Sequence, residues 1–485
     1  MANPLKQLFG ETVIYGLSTV VARILNFALV PIYTRVLTQS DYGTVSELMS
    51  WIAVLQVIMV LGLETGCFRF ANKEGADARK VYGNAFAAVF GLSAALMAVC
   101  IAFGGGVAES AGYAGYGYVI RYMGGILALD AVTAILFARL RQDHKAVRFA
   151  VIKTVKICTE LGCNLYLFLA TDKPEWIYNF ISATPDFSYV IFAIFVSCIV
   201  CTVLLVPELF RLSLKLDRRL LKDMLLYSLP LMVAALPGVI NDLLDRILFR
   251  FCDTSSPEWR ATLGVYQAAV KLSVIMNLFI QMFRYAAEPF FFQRARDKNS
   301  TLLYANVMNW FTAFCCIVLL GVTYFIDVFA LFLGRDFRSA IAVVPIMLLS
   351  YMLLGMLFNV NMWYKLSGKT SMAIWITLAG LAVTAVVNVV FMPRFSYWAS
   401  ASGHLLSYAV MLTISARLGA KHYPIPYQWG LIFILMGLTA VFFAASLFTS
   451  MIPLTSLRLG ANALMLCAFC FVSYMTIRKK GRIVA

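Results

Sequence analysis

Runs of about twenty mostly apolar residues recur along the whole chain, with short polar stretches between them. A helix of that length rises about 30 Å, enough to cross the hydrocarbon core of a bilayer. There each backbone N–H and C=O must be satisfied within the protein, which a helix does by itself. The chain is 61% apolar and 13% charged, and no stretch is long enough for a separate soluble domain. It reads as an all-α, polytopic membrane protein. Fourteen spans are expected, at about 13–34, 42–68, 82–104, 118–138, 150–170, 188–207, 225–250, 261–290, 303–332, 340–364, 371–392, 398–416, 428–449 and 457–477. The opening MANPLKQLFGE has no small-residue cleavage site and leads into a full-length run, so the first span reads as retained.

Loop charge gives an orientation. Loops on the amino-terminal side carry 25 Lys and Arg, the opposite loops carry eight, and seven lie within spans, which accounts for all 40. That bias places both termini in the cytoplasm. It also explains the net charge of +16, which in a soluble protein would suggest nucleic acid. A faint repeat accompanies it. Asp41-Tyr42-Gly43 at span 2 matches Gly264-Val265-Tyr266 at span 8, and Glu64 matches Glu288. Tyr15-Gly16 likewise matches Tyr227-Ser228. Span 7 then repeats span 1, and an even number of spans per half implies a pseudo-two-fold along the membrane normal. The expected division is a six-helix lobe over 1–210, a second over 211–425 and two additional helices over 426–485.

Seven basic residues sit inside apolar runs: Arg23, Arg121, Lys153, Lys156, Arg246, Lys271 and Arg284. A charge at that depth costs at least about 2.5–3.5 kcal/mol, so each needs a partner, a watery cavity or a ligand. The acids Glu47, Glu64, Asp130, Glu160, Asp242, Asp245 and Glu288 fall in the same helices. Span 1 lines Thr12, Gly16, Thr19, Arg23, Asn26 and Thr34 along one face, with Arg23 near its midpoint. Arg23 there is either a cavity ligand or a salt bridge to Glu47 or Glu64. Span 8 carries Ser273, Asn277, Gln281, Arg284 and Glu288 at spacings of three or four, with Lys271 on a neighbouring face. Arg284 and Glu288 are also placed to pair with each other. In span 7, Pro230, Pro237 and Gly238 predict a bend or broken hydrogen bonds, and Asp242 and Arg246 have the spacing of an intrahelical pair. Span 5 sets Lys153, Lys156, Glu160 and Asn164 along one face, with Lys153 close enough to the cytoplasmic end to snorkel.

Other chemistry is sparse. Cys198-x-x-Cys201 and Cys467-x-x-Cys470 lie among apolar residues without a nearby His, as packing cysteines do. His404 is the one histidine within a span and reads as a packing group, with proton coupling or acyl transfer as its rivals. No metalloprotease motif, phosphate loop or nucleophile elbow occurs, and neither a metal nor a cofactor is expected. Spans 13 and 14 are almost without charge, which suits a buttress or a surface for a long lipid tail.

The stretch ARILNFALVPIYTRVLTQSDYGTVS resembles the opening of the polysaccharide transporters, the Wzx-like oligosaccharide flippases of the superfamily that includes the multidrug and toxin extrusion antiporters. AAEPFFF at 286–292, YKLSGKT at 364–370 and NVVFMPRFSYWASASGHLLSY at 388–408 agree with it in order and spacing. Asn388 and Pro393 keep that family's pattern, while Phe395-Ser396 and Ser400-Ala401 replace its usual Gly-rich residues. The resemblance implies two six-helix lobes around a cavity and the flipping of an undecaprenyl-diphosphate-linked oligosaccharide to the outer leaflet. Arg23, Asn26, Arg246, Lys271, Asn277, Gln281 and Arg284 are then expected to bind substrate, and Glu64, Asp242 and Glu288 to couple or gate. The coupling ion, proton or sodium, is left open. Related lipid II flippases carry cavity arginines on their first, second and eighth helices; here span 2 offers only Arg69, at its cytoplasmic end. A monomer in the bacterial inner membrane is expected, with other polysaccharide-assembly proteins as candidate partners and no nucleic acid. A lipid II-type flippase and a cation antiporter are rivals of the same fold, though an antiporter favours a net acidic cavity. A glycan polymerase or acyltransferase would need a large outer loop or a histidine in a catalytic setting.

Overall fold

The computed structural model describes Gly16 and residues 20–170, 172–254, 258–294, 299–449 and 453–481. Every regular element among them is helical. Residues 20–28 form a helical segment that passes through Leu29 into α1 (Val30–Val36). The first unit continues with α2 (Gln39–Val60), α3 (Leu63–Ala71), α4 (Ala78–Ser110), α5 (Gly117–Gln142), α6 (Ala146–Leu169), α7 (Phe187–Leu209) and α8 (Arg218–Cys252). Then follow α9 (Trp259–Leu272), α10 (Val274–Arg294), α11 (Ser300–Tyr324), α12 (Ile326–Ala330), α13 (Val344–Val360) and α14 (Met362–Leu366). The last four are α15 (Met372–Phe395), α16 (Tyr397–His422), α17 (Trp429–Thr449) and α18 (Thr455–Gly481). Predicted spans 2 to 14 all fall on these helices, and span 1 lies partly outside the described residues.

Among the described residues ten helices are long and apolar enough to cross a membrane, and α9 with α10 make an eleventh, bent span. The chain is a multi-pass membrane protein. Predicted spans 5 and 12 fall on α6 and α16, which have spanning length but are not among the eleven. For α6 the reason is charge, since Arg148, Lys153, Lys156 and Glu160 all lie on it.

Interruptions fall elsewhere than the sequence suggests. Pro230 and Pro237 lie inside α8, which is a single helix of 35 residues, not a broken one. Span 2, by contrast, is interrupted where Leu61 (φ 56°) and Gly62 (φ 65°) turn left-handed between α2 and α3. A Cβ at Gly62 would meet the Ser228 carbonyl oxygen at 2.5 Å, so the turn and the close approach of α8 both require glycine. Span 8 is interrupted at Ser273, where α9 and α10 meet at 48°.

Contacts gather the chain into two compact units, Met1–Ile247 and Leu248–Ala485, which divide inside α8. The first is built on the α4–α5 hairpin, with α7 packed on α5 and α6. Its core includes Leu63, Cys67, Tyr82, Ile135 and Leu205, all buried. In the second unit α13, α15 and α16 pack together, and Phe249 at the end of α8 stacks on Tyr266 with ring centroids 5.9 Å apart. Helices α17 and α18 belong to this unit and cover α11.

Polar groups fix that cover. Tyr324 donates to the Phe442 carbonyl at 2.8 Å, and the Asn462 amide donates to the Tyr324 carbonyl at 2.8 Å. Thr449 donates to the Asn462 side-chain oxygen at 2.7 Å, and Arg458 meets Asp327 at 2.6 Å. Asn462→Ala removes two of these bonds; Thr449 can still donate to the Ser446 carbonyl at 2.8 Å, but the buried Tyr324 carbonyl loses its donor, a loss of about 1–3 kcal/mol. Thermal unfolding of the purified protein in detergent should show a lowered midpoint. Leu464→Ala, on an exposed position of the same helix, should leave it nearly unchanged.

Candidate functional site

In the first unit, Arg23 and Asn26 are exposed on the helical segment 20–28, one turn apart. Thr34, expected to share their face, is buried and returns its hydroxyl to the Val30 carbonyl at 2.9 Å. Thr12 and Thr19 lie outside the described residues. The salt bridge weighed between Arg23 and Glu64 is not formed. Glu64 takes Arg141 at 2.9 Å, and both side chains are more than a third exposed. Glu47 is buried and accepts from the Tyr113 hydroxyl. On α8, Asp242 is exposed while Asn241 and Asp245, four residues apart, are each 1% exposed. The inward acid is thus Asp245, which shares its face with Asn241. Arg246 is partly buried and close enough to Tyr42 to act on it electrostatically.

In the second unit, the break at Ser273 divides the stripe that an uninterrupted span 8 would have carried. Ser273 is buried and donates to the Val344 carbonyl at 3.3 Å, so it leaves the stripe. Lys271 ends α9 on the far side of the bend. On α10 the Gln281 amide donates to the Asn277 side-chain oxygen at 3.4 Å, and the Gln281 oxygen is buried without a partner. Arg284 is partly exposed, with its guanidinium carbon 4.9 Å from the centre of the Phe358 ring. The Glu288 side chain lies outside the described residues. Asn277, Gln281 and Arg284 remain on one helical face.

Three further features lie apart from that face. Arg69, the basic residue of span 2, lies over the Tyr227 ring at 4.0 Å. An apolar cavity of about 420 Å³ opens between α11, α13 and α17, lined by Leu319, Pro345, Ile346, Met352, Met436 and Phe443 among others. The Thr439 hydroxyl in its wall is turned to the Leu435 carbonyl at 2.8 Å. His404 is buried and stacks on Tyr408 with centroids 6.0 Å apart.

The model of the family described as "Polysaccharide biosynthesis protein" matches residues 9–295, more than half of the chain. The chain belongs to that family. No curated protein matches it. Among solved structures it is similar to "Lipid II flippase MurJ, inward closed conformation" at 11% identity and a TM-score of 0.73, covering 96% of this chain and 99% of that one. It is also similar to an inward-facing multidrug resistance MATE family transporter of the MOP superfamily at 12% identity and a TM-score of 0.60, covering 84% and 94%. The fold is shared with these proteins, one named as a flippase and the other as a transporter.

A polysaccharide-biosynthesis membrane protein of this fold must also hold its loop charges, and one cluster does so with a residue the sequence did not single out. Glu208 near the end of α7 is fully buried, and three bases converge on it: Arg148 at 2.6 Å, Arg211 at 3.3 Å and Lys145 at 3.4 Å. Two of them come from α6 and the residue before it, 60 and more positions away. No local spacing announces such a cluster. Breaking a fully buried pair costs about 3–5 kcal/mol. The partners here are partly exposed and can hydrate, so Glu208→Gln should cost less, about 1–3 kcal/mol. Reduced accumulation in the membrane and a lower unfolding midpoint are the expected readings. Glu64→Gln, whose pair with Arg141 is solvated, should be nearly silent in both.

Proposed function

We propose that this protein is a flippase that carries an undecaprenyl-diphosphate-linked oligosaccharide, an O-antigen, capsule or exopolysaccharide unit, from the cytoplasmic to the outer leaflet by alternating access. The observation that carries the reading is the kind of contact its intramembrane arginines make. Arg284 rests on a ring rather than on a carboxylate among the described residues, and Arg69 likewise lies over a ring. A diphosphate is anionic, and a guanidinium presents a planar fork that matches phosphate oxygens. Arg23, Asn26 and Arg246 of the first unit, with Lys271, Asn277, Gln281 and Arg284 of the second, are assigned to the substrate. Glu64, Asp242 and Glu288 are assigned to coupling or gating. The repeat of spans 1–6 in spans 7–12, both termini in the cytoplasm and a monomer in the bacterial inner membrane belong to the same proposal. The polyprenyl tail stays in apolar surroundings, and the cavity beside α17 suits a segment of such a chain.

The similarity in fold to a lipid II flippase supports a second reading, in which the cargo is a peptidoglycan precursor. One experiment separates the two. In cells that depend on this protein, Arg23→Ala and Arg284→Ala should each abolish surface glycan while the protein accumulates normally. Lys at either position should restore it only in part, because Lys is a point charge without the fork. Accumulation of peptidoglycan precursor with surface glycan intact would favour the second reading. If Arg23→Ala merely stops the protein accumulating, Arg23 is structural and the assignment fails.

A further inference from the structure

The partly buried charges of α5 and α6, with Cys198 of α7, form a group apart from the residues assigned to the substrate. Lys156 on α6 meets Asp130 on α5 at 2.5 Å, and the Cys198 thiol on α7 donates to the same carboxylate oxygen at 3.4 Å. Lys153, one turn back, stands over the rings of Phe137 and Phe149 at 4.6 and 5.9 Å. Glu160 lies one turn beyond Lys156, and it is the exception. The Asn164 amide donates to its backbone carbonyl at 2.8 Å, not to its carboxylate. Among the described residues the Glu160 carboxylate makes no ion pair and no hydrogen bond.

The other titratable groups facing this cluster are Tyr33 from α1, Cys163 of α6 itself, Cys201 from α7 and, towards Lys153, Glu64 from α3. None supplies Glu160 with a cation. An ionised carboxylate at membrane depth costs at least about 2.5 kcal/mol, and a protonated one avoids that cost. The set then balances: Lys156 neutralises Asp130, and a proton neutralises Glu160.

We propose that Glu160, Lys156 and Asp130 form a proton-binding site, with Glu160 as the acceptor. The proton is held while Lys156 serves Asp130. It leaves to water when Lys156 turns to Glu160, and the only bond broken is the carboxyl O–H. Release leaves the three groups one negative charge in excess, so it requires the site to hydrate. Asp130 is 30% exposed and Lys156 17%, so the pair is not sealed within the protein. The proton site stands without the flippase reading; its use to drive flipping rests on that reading.

The test uses the full-length protein in lipid nanodiscs with no substrate, followed by infrared difference spectroscopy through a pH titration. The expected result is a protonated-carboxyl band that disappears on raising the pH and is absent from Glu160→Gln. Asp130→Asn, which releases Lys156 to Glu160, should weaken the band at neutral pH, whereas Lys156→Met should strengthen it. A band that survives in Glu160→Gln, or its absence from the wild type, overturns the proposal. Should Glu160→Gln fail to accumulate, Glu160→Asp takes its place: the band must change frequency, and an unchanged band also overturns the proposal. Surface glycan is no part of the readout, so failure here and failure of the cargo assignment are distinct results.

Discussion

Hydrocarbon offers a polar group nothing to bond with, and the internal arrangement of this protein follows from that one deficit. Its simplest expression is the fate of buried hydroxyls. Thr34, Thr312, Thr439 and Ser473 each return their hydroxyl to the carbonyl four residues earlier, at 2.6–2.9 Å. Such a residue satisfies itself within its own helix and needs neither cavity nor ligand. A charge has no such recourse. It takes a partner from another helix, as Lys156 takes Asp130, and it can add a neutral donor, as Glu47 does with the Tyr113 hydroxyl. Otherwise it rests on an aromatic face, as Lys153 does.

The helices were legible because their cause is local. A run of apolar residues long enough for a bilayer must bond its backbone internally, and the described elements fall on the runs from span 2 onward. Where the helices stop was less legible, because two of the interruptions answer to neighbours. Gly62 turns where α8 passes too closely for a side chain, and Ser273 sits at a bend with its hydroxyl bonded to Val344, 71 residues away. Pro230 and Pro237 gave the stronger sequence signal, yet α8 continues through both. A proline removes one donor and crowds one carbonyl, and surrounding structure in a membrane accommodates that loss.

The charges divide in the same way. Sequence alone located them at membrane depth and suggested pairs one helical turn apart. Beside local pairs such as Arg139 with Asp143, the structure makes distant ones: Glu64 with Arg141, Asp130 with Lys156, and Glu208 with Arg148. Asp245 shows why. It and Asp242 are the same residue type three positions apart, but Asp245 shares the buried face of Asn241 and Asp242 does not. Which face of a helix turns inward is decided by packing, and a chain this apolar carries little amphipathic signal to announce it.

Partner type then sorts the buried bases by what each has left to offer. A carboxylate neutralises a base and occupies its donors, so Lys156 is committed. A ring attracts the cation's charge and accepts few of its N–H groups. Arg284 over Phe358 and Arg69 over Tyr227 are therefore held in place with hydrogen-bonding capacity to spare. For an anion with several oxygens this is preorganisation: part of the cost of fixing a long side chain has been met before the ligand arrives. An acid in place of either ring would hold the arginine as firmly and would compete for its donors. Under the proposed assignment, Phe358 beneath Arg284 holds the guanidinium without taking the donors that the substrate's phosphate would need.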